Sequence, residues 1–190
     1  LMDSGASAIN DKAAESREEP FFLFLNYMDA HIPLRPNIRY DNSMYDASGG
    51  WTSSKLDNWE LNHEEKASER YEQNYRDLYA ASIDYLDRKV ESLVSRLEEK
   101  TDRPTTLVIT ADHGHNLGYE DEDGFFNHFG NLSEGVIHVP LEVVNPPEGY
   151  PENIDGVFSH LELSELLVNL AEGESFDQDL TREEAASEVL

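Results

Sequence analysis

The 190-residue chain carries 40 Asp and Glu against 14 Lys and Arg, a formal net charge of −26, with 38% hydrophobic residues and no cysteine. That length suits one domain, or the larger part of one, with enough apolar material for a core. Disulfide scaffolds, thiolate metal sites and cysteine nucleophiles are excluded, and the acidity argues against nucleic acid, whose phosphates need clustered Lys and Arg.

Residues 1–19 mix small and charged types and predict a short surface helix that Pro20 ends. Phe21-Phe22-Leu23-Phe24-Leu25, bounded by Pro20 and Asn26, predicts a strand buried on both faces. Residues 29–62 hold Pro33, Pro36, Gly49 and Gly50 without sustained periodicity, which predicts a long irregular segment of the functional kind. Asn62 with Glu65 then resembles a capping box. From Tyr71 through Tyr75, Leu78, Tyr79, Ser82, Ile83 and Leu86 to Leu97, apolar and aromatic residues recur on one helical face until Pro104. The Tyr-rich face reads as core packing. The β-branched run of residues 105–110 predicts a second buried strand, and residues 111–134 a polar, glycine-rich loop. Residues 136–144 predict a third strand, interrupted by Pro140. Ser159 with Glu162 forms a second capping box, opening a helix over residues 161–170. From residue 175 onward an acidic tail follows, helical in part.

Buried strands alternating with helices predict an α/β domain with a largely parallel sheet and helices on both faces. Ligands collect beyond the carboxyl ends of such strands, which points to residues 26–39 and residues 111–128. Four of the seven histidines, His31, His113, His115 and His128, fall in these loops. No apolar run approaches the roughly 20 residues of a membrane-spanning helix, so no span is expected. The carboxylates are dispersed along the chain, with only five lysines. That pattern reads as a halophile's salt-adapted surface, its self-repulsion screened over roughly 3 Å at 1 M ionic strength.

Asp112-His113-Gly114-His115 follows directly on the second predicted strand. A carboxylate and an imidazole there can face one ion, with Gly114 letting the backbone turn away beneath it. On spacing alone the same residues make an equally good polar turn in which Asp112 caps the next segment. Two ligands do not complete a cation site, so others must come from elsewhere. At the first strand exit, Pro33 and Pro36 would hold the backbone extended and aim His31, although on its own a histidine in a proline-rich loop is more often a surface residue. Glu120 to Gly124 does not fit an EF-hand loop, because Tyr119 and Gly130 would stand where carboxylates are required; the run reads as a solvated loop.

In order along the chain, these segments resemble the sulfatase family. Phe24-Leu25-Asn26-Tyr27-Met28-Asp29-Ala30-His31-Ile32-Pro33 resembles its strand running into a His-x-Pro motif. Tyr79 to Asp87 is similar to its long helix, and residues 107–118 (Leu-Val-Ile-Thr-Ala-Asp-His-Gly-His-Asn-Leu-Gly) to its Thr-Ser-Asp-His-Gly strand and loop. His128-Phe129-Gly130 with Glu134 and Val139-Pro140-Leu141 resembles the section that follows. The resemblance spans about residues 20–173. It implies an alkaline-phosphatase-like layered α/β domain, with residues 1–174 its C-terminal part, residues 175–190 an acidic tail, and the N-terminal part of the domain missing.

The resemblance also implies a division of roles. Asp112 and His113 are metal ligands, with calcium the usual ion and magnesium or manganese open. His31 helps protonate the leaving oxygen, and His128 stands against the sulfate. His115, Arg35 and Asn116 lie behind the ligands or line the substrate pocket. The substrate is a small-molecule or saccharide sulfate ester. His115, Leu132 and His138 depart from residues common in the family at their positions. The formylglycine nucleophile, made from Cys or Ser in a Cys/Ser-x-Pro-x-Arg motif, has no counterpart in these residues. It is expected upstream, leaving the fragment inactive alone. A phosphodiesterase, phosphonate hydrolase or phosphotransferase of the wider alkaline phosphatase superfamily, and a non-catalytic acidic binding module, remain alternatives.

Overall fold

The computed structural model describes residues 20–46, 68–100 and 102–184; the helix expected over residues 1–19 and the box of Asn62 and Glu65 lie outside them. In chain order the elements are α1 (Glu69–Lys100), β1 (Leu107–Thr110), β2 (Asn116–Leu117), β3 (Phe126–Asn127), α2 (Glu134–Ile137), β4 (Leu141–Val144), β5 (Val157–Phe158), α3 (Leu163–Glu172) and β6 (Thr181–Arg182). Helices and small antiparallel sheets thus give a mixed α/β class. The chain divides into two compact units, residues 1–103 with 116–127, and residues 104–115 with 128–190.

The first unit is built on α1. Ser68 Oγ accepts the N–H of Tyr71 at 3.2 Å, which satisfies a donor that the first helical turn leaves open. Tyr71, Tyr75, Leu78, Ala81, Ser82 and Tyr85 are buried at the expected three- and four-residue steps. Ile83 is 43% exposed; its assignment to the buried face is corrected, since it lies about 100° around the helix from Ser82. Leu34, Tyr40, Tyr45 and Phe126 pack onto the stripe. The rings of Tyr75 and Phe126 meet edge to face, with centroids 5.2 Å apart. Burial raises the phenol pKa of both Tyr71 and Tyr75.

Residues 21–25 form no strand, contrary to expectation, and Phe22 and Phe24 are 74% and 76% exposed. A strand buried on both faces needs neighbours to pair with and layers to cover it, and the described residues supply no ladder partner for it. The expected plain loop over residues 111–134 is also corrected. It contains the β2–β3 hairpin, with Asn116 opposite Asn127 and Leu117 opposite Phe126. Arg76 of α1 fastens this hairpin, donating to the carbonyls of Leu117 (2.9 Å) and Gly118 (2.7 Å) and lying 4.4 Å over the Tyr119 ring. The acidic run is not wholly solvated either. Glu122 Oε2 turns inward and accepts the N–H groups of Leu117 and Tyr119.

In the second unit β1 pairs with β4, Leu107 opposite Val144 and Thr110 opposite Leu141. The pairing is antiparallel, which corrects the parallel expectation. A parallel crossover is usually carried by a full helix, and the only α-helix between these two strands is the four-residue α2. The third strand predicted over residues 136–144 divides at Pro140 into the end of α2 and then β4. Ser159 Oγ accepts the N–H of Leu161 at 3.3 Å, as a cap should, but the turn it opens is a 3₁₀ turn that α3 continues. Gly173, at φ +74°, supplies the left-handed residue that closes α3. Leu166, Leu170, Phe176 and Leu180 form the core, joined by Val108, Leu141 and Val143 from the sheet. The acidic stretch after residue 175 is helical only over the three residues Gln178–Leu180 of its described part. It makes one 3₁₀ turn, buries Phe176 and Leu180, and pairs β6 with β5.

Candidate functional site

The exit of β1 is pinned at Thr110. Its hydroxyl donates to the Pro140 carbonyl at 2.8 Å; with its proton so used, it accepts from Nε2 of His160 at 2.9 Å. His160 carries no signal in the sequence, because fifty residues separate it from Thr110.

Two residues on, the Asp112 side chain is 91% exposed and that of His113 34%. Asp112 Oδ1 accepts the N–H of His113 at 3.0 Å, so one oxygen takes up the local capping role. The other, Oδ2, stands 3.9 Å from His113 Nε2. His113 Nδ1 lies 2.8 Å from the Gly114 carbonyl. A carbonyl only accepts, so in the neutral ring the proton sits on Nδ1 and Nε2 keeps its lone pair on the side of the carboxylate. Two ligands bonded to one ion at about 2.4 Å stand roughly 3.4–3.9 Å apart for angles near 90–110°. The pair therefore fits two positions on a divalent cation. Among the described residues no group of three or more His, Asp or Glu side chains gathers to enclose one.

Gly114 is required for a reason other than the turn its sequence suggested. Its N–H donates to the Val136 carbonyl at 2.7 Å, and a Cβ built on it would lie 2.1 Å from the Gly135 carbonyl oxygen. Main chain meets main chain here, and no side chain fits.

His115 and His128 are the residues just outside the two legs of the β2–β3 hairpin, whose last pair is Asn116 with Asn127. The hairpin explains how residues 13 apart in sequence become neighbours. Their ring centroids are 5.8 Å apart, and the His128 ring lies 4.1 Å from that of His113, inclined at 33°, with Phe129 at 4.3 Å. In the second unit the His128 ring thus stands beside those of His113 and His115, while Asp112 is placed only against His113.

His31, Arg35 and Asn116 belong to the first unit. His31 is exposed; its N–H donates to the Met28 carbonyl at 3.2 Å, and its Nδ1 lies 2.6 Å from its neighbour's carbonyl, on Ile32. Arg35 is exposed, and Asn116 is fully buried at the hairpin root. His138 lies on the surface, 3.6 Å from Glu134.

A carboxylate–imidazole pair at a strand exit, backed by further imidazoles, is a layout suited to hydrolysis of an anionic ester. Comparison with known families names the class. The family model described as Sulfatase matches residues 1–173, and the chain belongs to the sulfatase family, whose members act on sulfate esters and generally use a divalent cation. No curated protein and no solved structure matches it. Among the described residues no helix is long and apolar enough to cross a membrane.

Proposed function

We propose that the chain supplies part of the active site of a sulfuric ester hydrolase: a cation-gripping pair in Asp112 and His113, an anion contact in His128 and a proton donor in His31. The observation that carries this reading is the placement of His113, whose Nδ1 lies 2.8 Å from the Gly114 carbonyl and whose Nε2 stands 3.9 Å from Asp112 Oδ2. When bound, the cation would neutralise charge on the non-bridging ester oxygens. His128, wedged against His113 and Phe129, presents its ring in a fixed orientation to an anion. His31 is the proton donor to the leaving oxygen, a role that typically contributes 10²–10⁴-fold. His115, Arg35 and Asn116 shape the surroundings.

Calcium suits the carboxylate, while an imidazole in the set leaves room for manganese or magnesium. The 190 residues contain no cysteine and no Ser-x-Pro-x-Arg sequence. A formylglycine nucleophile, which turnover requires in this reading, is not encoded in these residues. The family match favours sulfate over phosphate esters. The dispersed acidity supports a salt-adapted, halophile origin.

The reading is tested by adding manganese(II) in high salt, which suppresses loose binding to surface carboxylates. Paramagnetic broadening is expected first at Asp112 and His113 and is expected to vanish in Asp112→Asn. Broadening spread evenly over the acidic surface, unchanged in that variant, would reject it.

A further inference from the structure

The turn that carries His31 is fastened by a charge pair whose lysine lies outside every motif in the sequence. Asp29 and Ala30 form the centre of this turn, which the His31 N–H closes onto the Met28 carbonyl at 3.2 Å. The Asp29 side chain is only 3% exposed. Its Oδ2 stands 3.4 Å from Nζ of Lys89, on α1, whose own side chain is 20% exposed. Two tyrosines flank the ammonium, with ring centroids 5.1 Å (Tyr27) and 5.0 Å (Tyr85) away. Tyr40 adds a second tie, its hydroxyl donating to the Asp29 carbonyl at 3.1 Å.

A carboxylate withdrawn this far from water is tolerable only beside a counter-charge, and one left alone returns to solvent. Of the two elements in contact, α1 is held by the Tyr75 and Leu78 core, so the turn is the one free to yield. His31 is itself exposed and rests on neighbouring backbone. Its N–H closes the turn that Asp29 centres, so the turn helps set where it stands.

We propose that Lys89 is a positioning residue for His31: by compensating the buried Asp29 carboxylate inside the Tyr27–Tyr85 cage, it fixes the turn from which His31 works. The catalytic consequence rests on the reading of His31 as proton donor; the mechanical link stands or falls separately.

The test follows amide exchange of His31 and its imidazole NMR signals in the full chain. Lys89→Met should speed exchange at His31 about tenfold or more and move its ring resonances, with far-UV circular dichroism retained. Lys89→Arg, which keeps charge and ring stacking, should stay within about threefold of the parent. The double variant Asp29→Asn with Lys89→Met, lacking both charges, should restore protection. An unaltered His31 in Lys89→Met overturns the proposal. So does a double variant as exposed as the single, since a merely structural loss of lysine packing would not be rescued by removing the carboxylate. Should Lys89→Met not fold, the double variant decides: folded with His31 protected it supports the proposal, and unfolded it overturns it. Turnover of a sulfate ester by enzyme carrying His31→Ala tests the functional reading instead, and its failure would leave the exchange results standing.

Discussion

Residues 28–31 and residues 111–115 each present a histidine just beyond an apolar stretch, yet they are held by different means. The first loop depends on side chains that reach it from elsewhere: Lys89 at the Asp29 carboxylate and the Tyr40 hydroxyl at the Asp29 carbonyl. The second is locked by main chain, with Gly114 pressed against Gly135 and bonded to Val136. Side-chain anchors yield to charge and pH, and a main-chain lock yields only to bulk. The contrast suits their proposed tasks. A metal pair needs two donors at fixed separation, whereas a proton donor has to approach and leave a substrate oxygen.

The sharpest way to break the main-chain lock is Gly114→Ala. With a carbonyl oxygen 2.1 Å from the new Cβ, neither backbone can remain where it is. The second unit should lose about 2–4 kcal/mol of stability in urea unfolding, and cation binding should disappear with it.

Alkaline pH acts on the other region. The ordinary phenol value is 10.0, and burial lifts Tyr71, Tyr75 and Tyr40 above it, Tyr40 with added repulsion from Asp29. Unfolded phenols thus release protons near pH 10 while the folded ones retain theirs. The stabilisation is complete below pH 10 and declines as pH rises from there toward the folded values. Unfolding followed by tyrosinate absorbance should begin above pH 10 in the aromatic core, with the α3 core responding later.

Smaller effects sharpen the comparison. Tyr40→Phe removes one tie to Asp29 and should cost about 1 kcal/mol, with faster exchange at His31 and none at His113. His138→Ala breaks only an exposed pair with Glu134 and should change the unfolding midpoint by less than about 0.5 kcal/mol in free energy.

Helix α1 and strand β1 were legible in the sequence because each is specified by its own residues: a 3.6-residue stripe in one, a β-branched run in the other. Strand direction was not, because alternation of element types says nothing about how a connection returns. The β2–β3 hairpin escaped because two-residue strands are too short to show periodicity, although Gly118 and Asp123-Gly124 marked its turn. Asp112, His113 and His128 stand out in the sequence only as residue types at a strand exit and by family resemblance, and the hairpin supplies the reason His115 and His128 meet. Contacts across fifty or sixty residues, His160 with Thr110 and Lys89 with Asp29, left no local trace.

The claim on which the account depends is that Asp112 and His113 grip one divalent cation. Isothermal calorimetry with calcium and with manganese, in concentrated potassium chloride, measures it directly on the full chain. The account predicts one binding event that is lost in Asp112→Asn and weakened at least tenfold in His113→Ala, with the fold unchanged. Equal heats in the parent and both variants would contradict it.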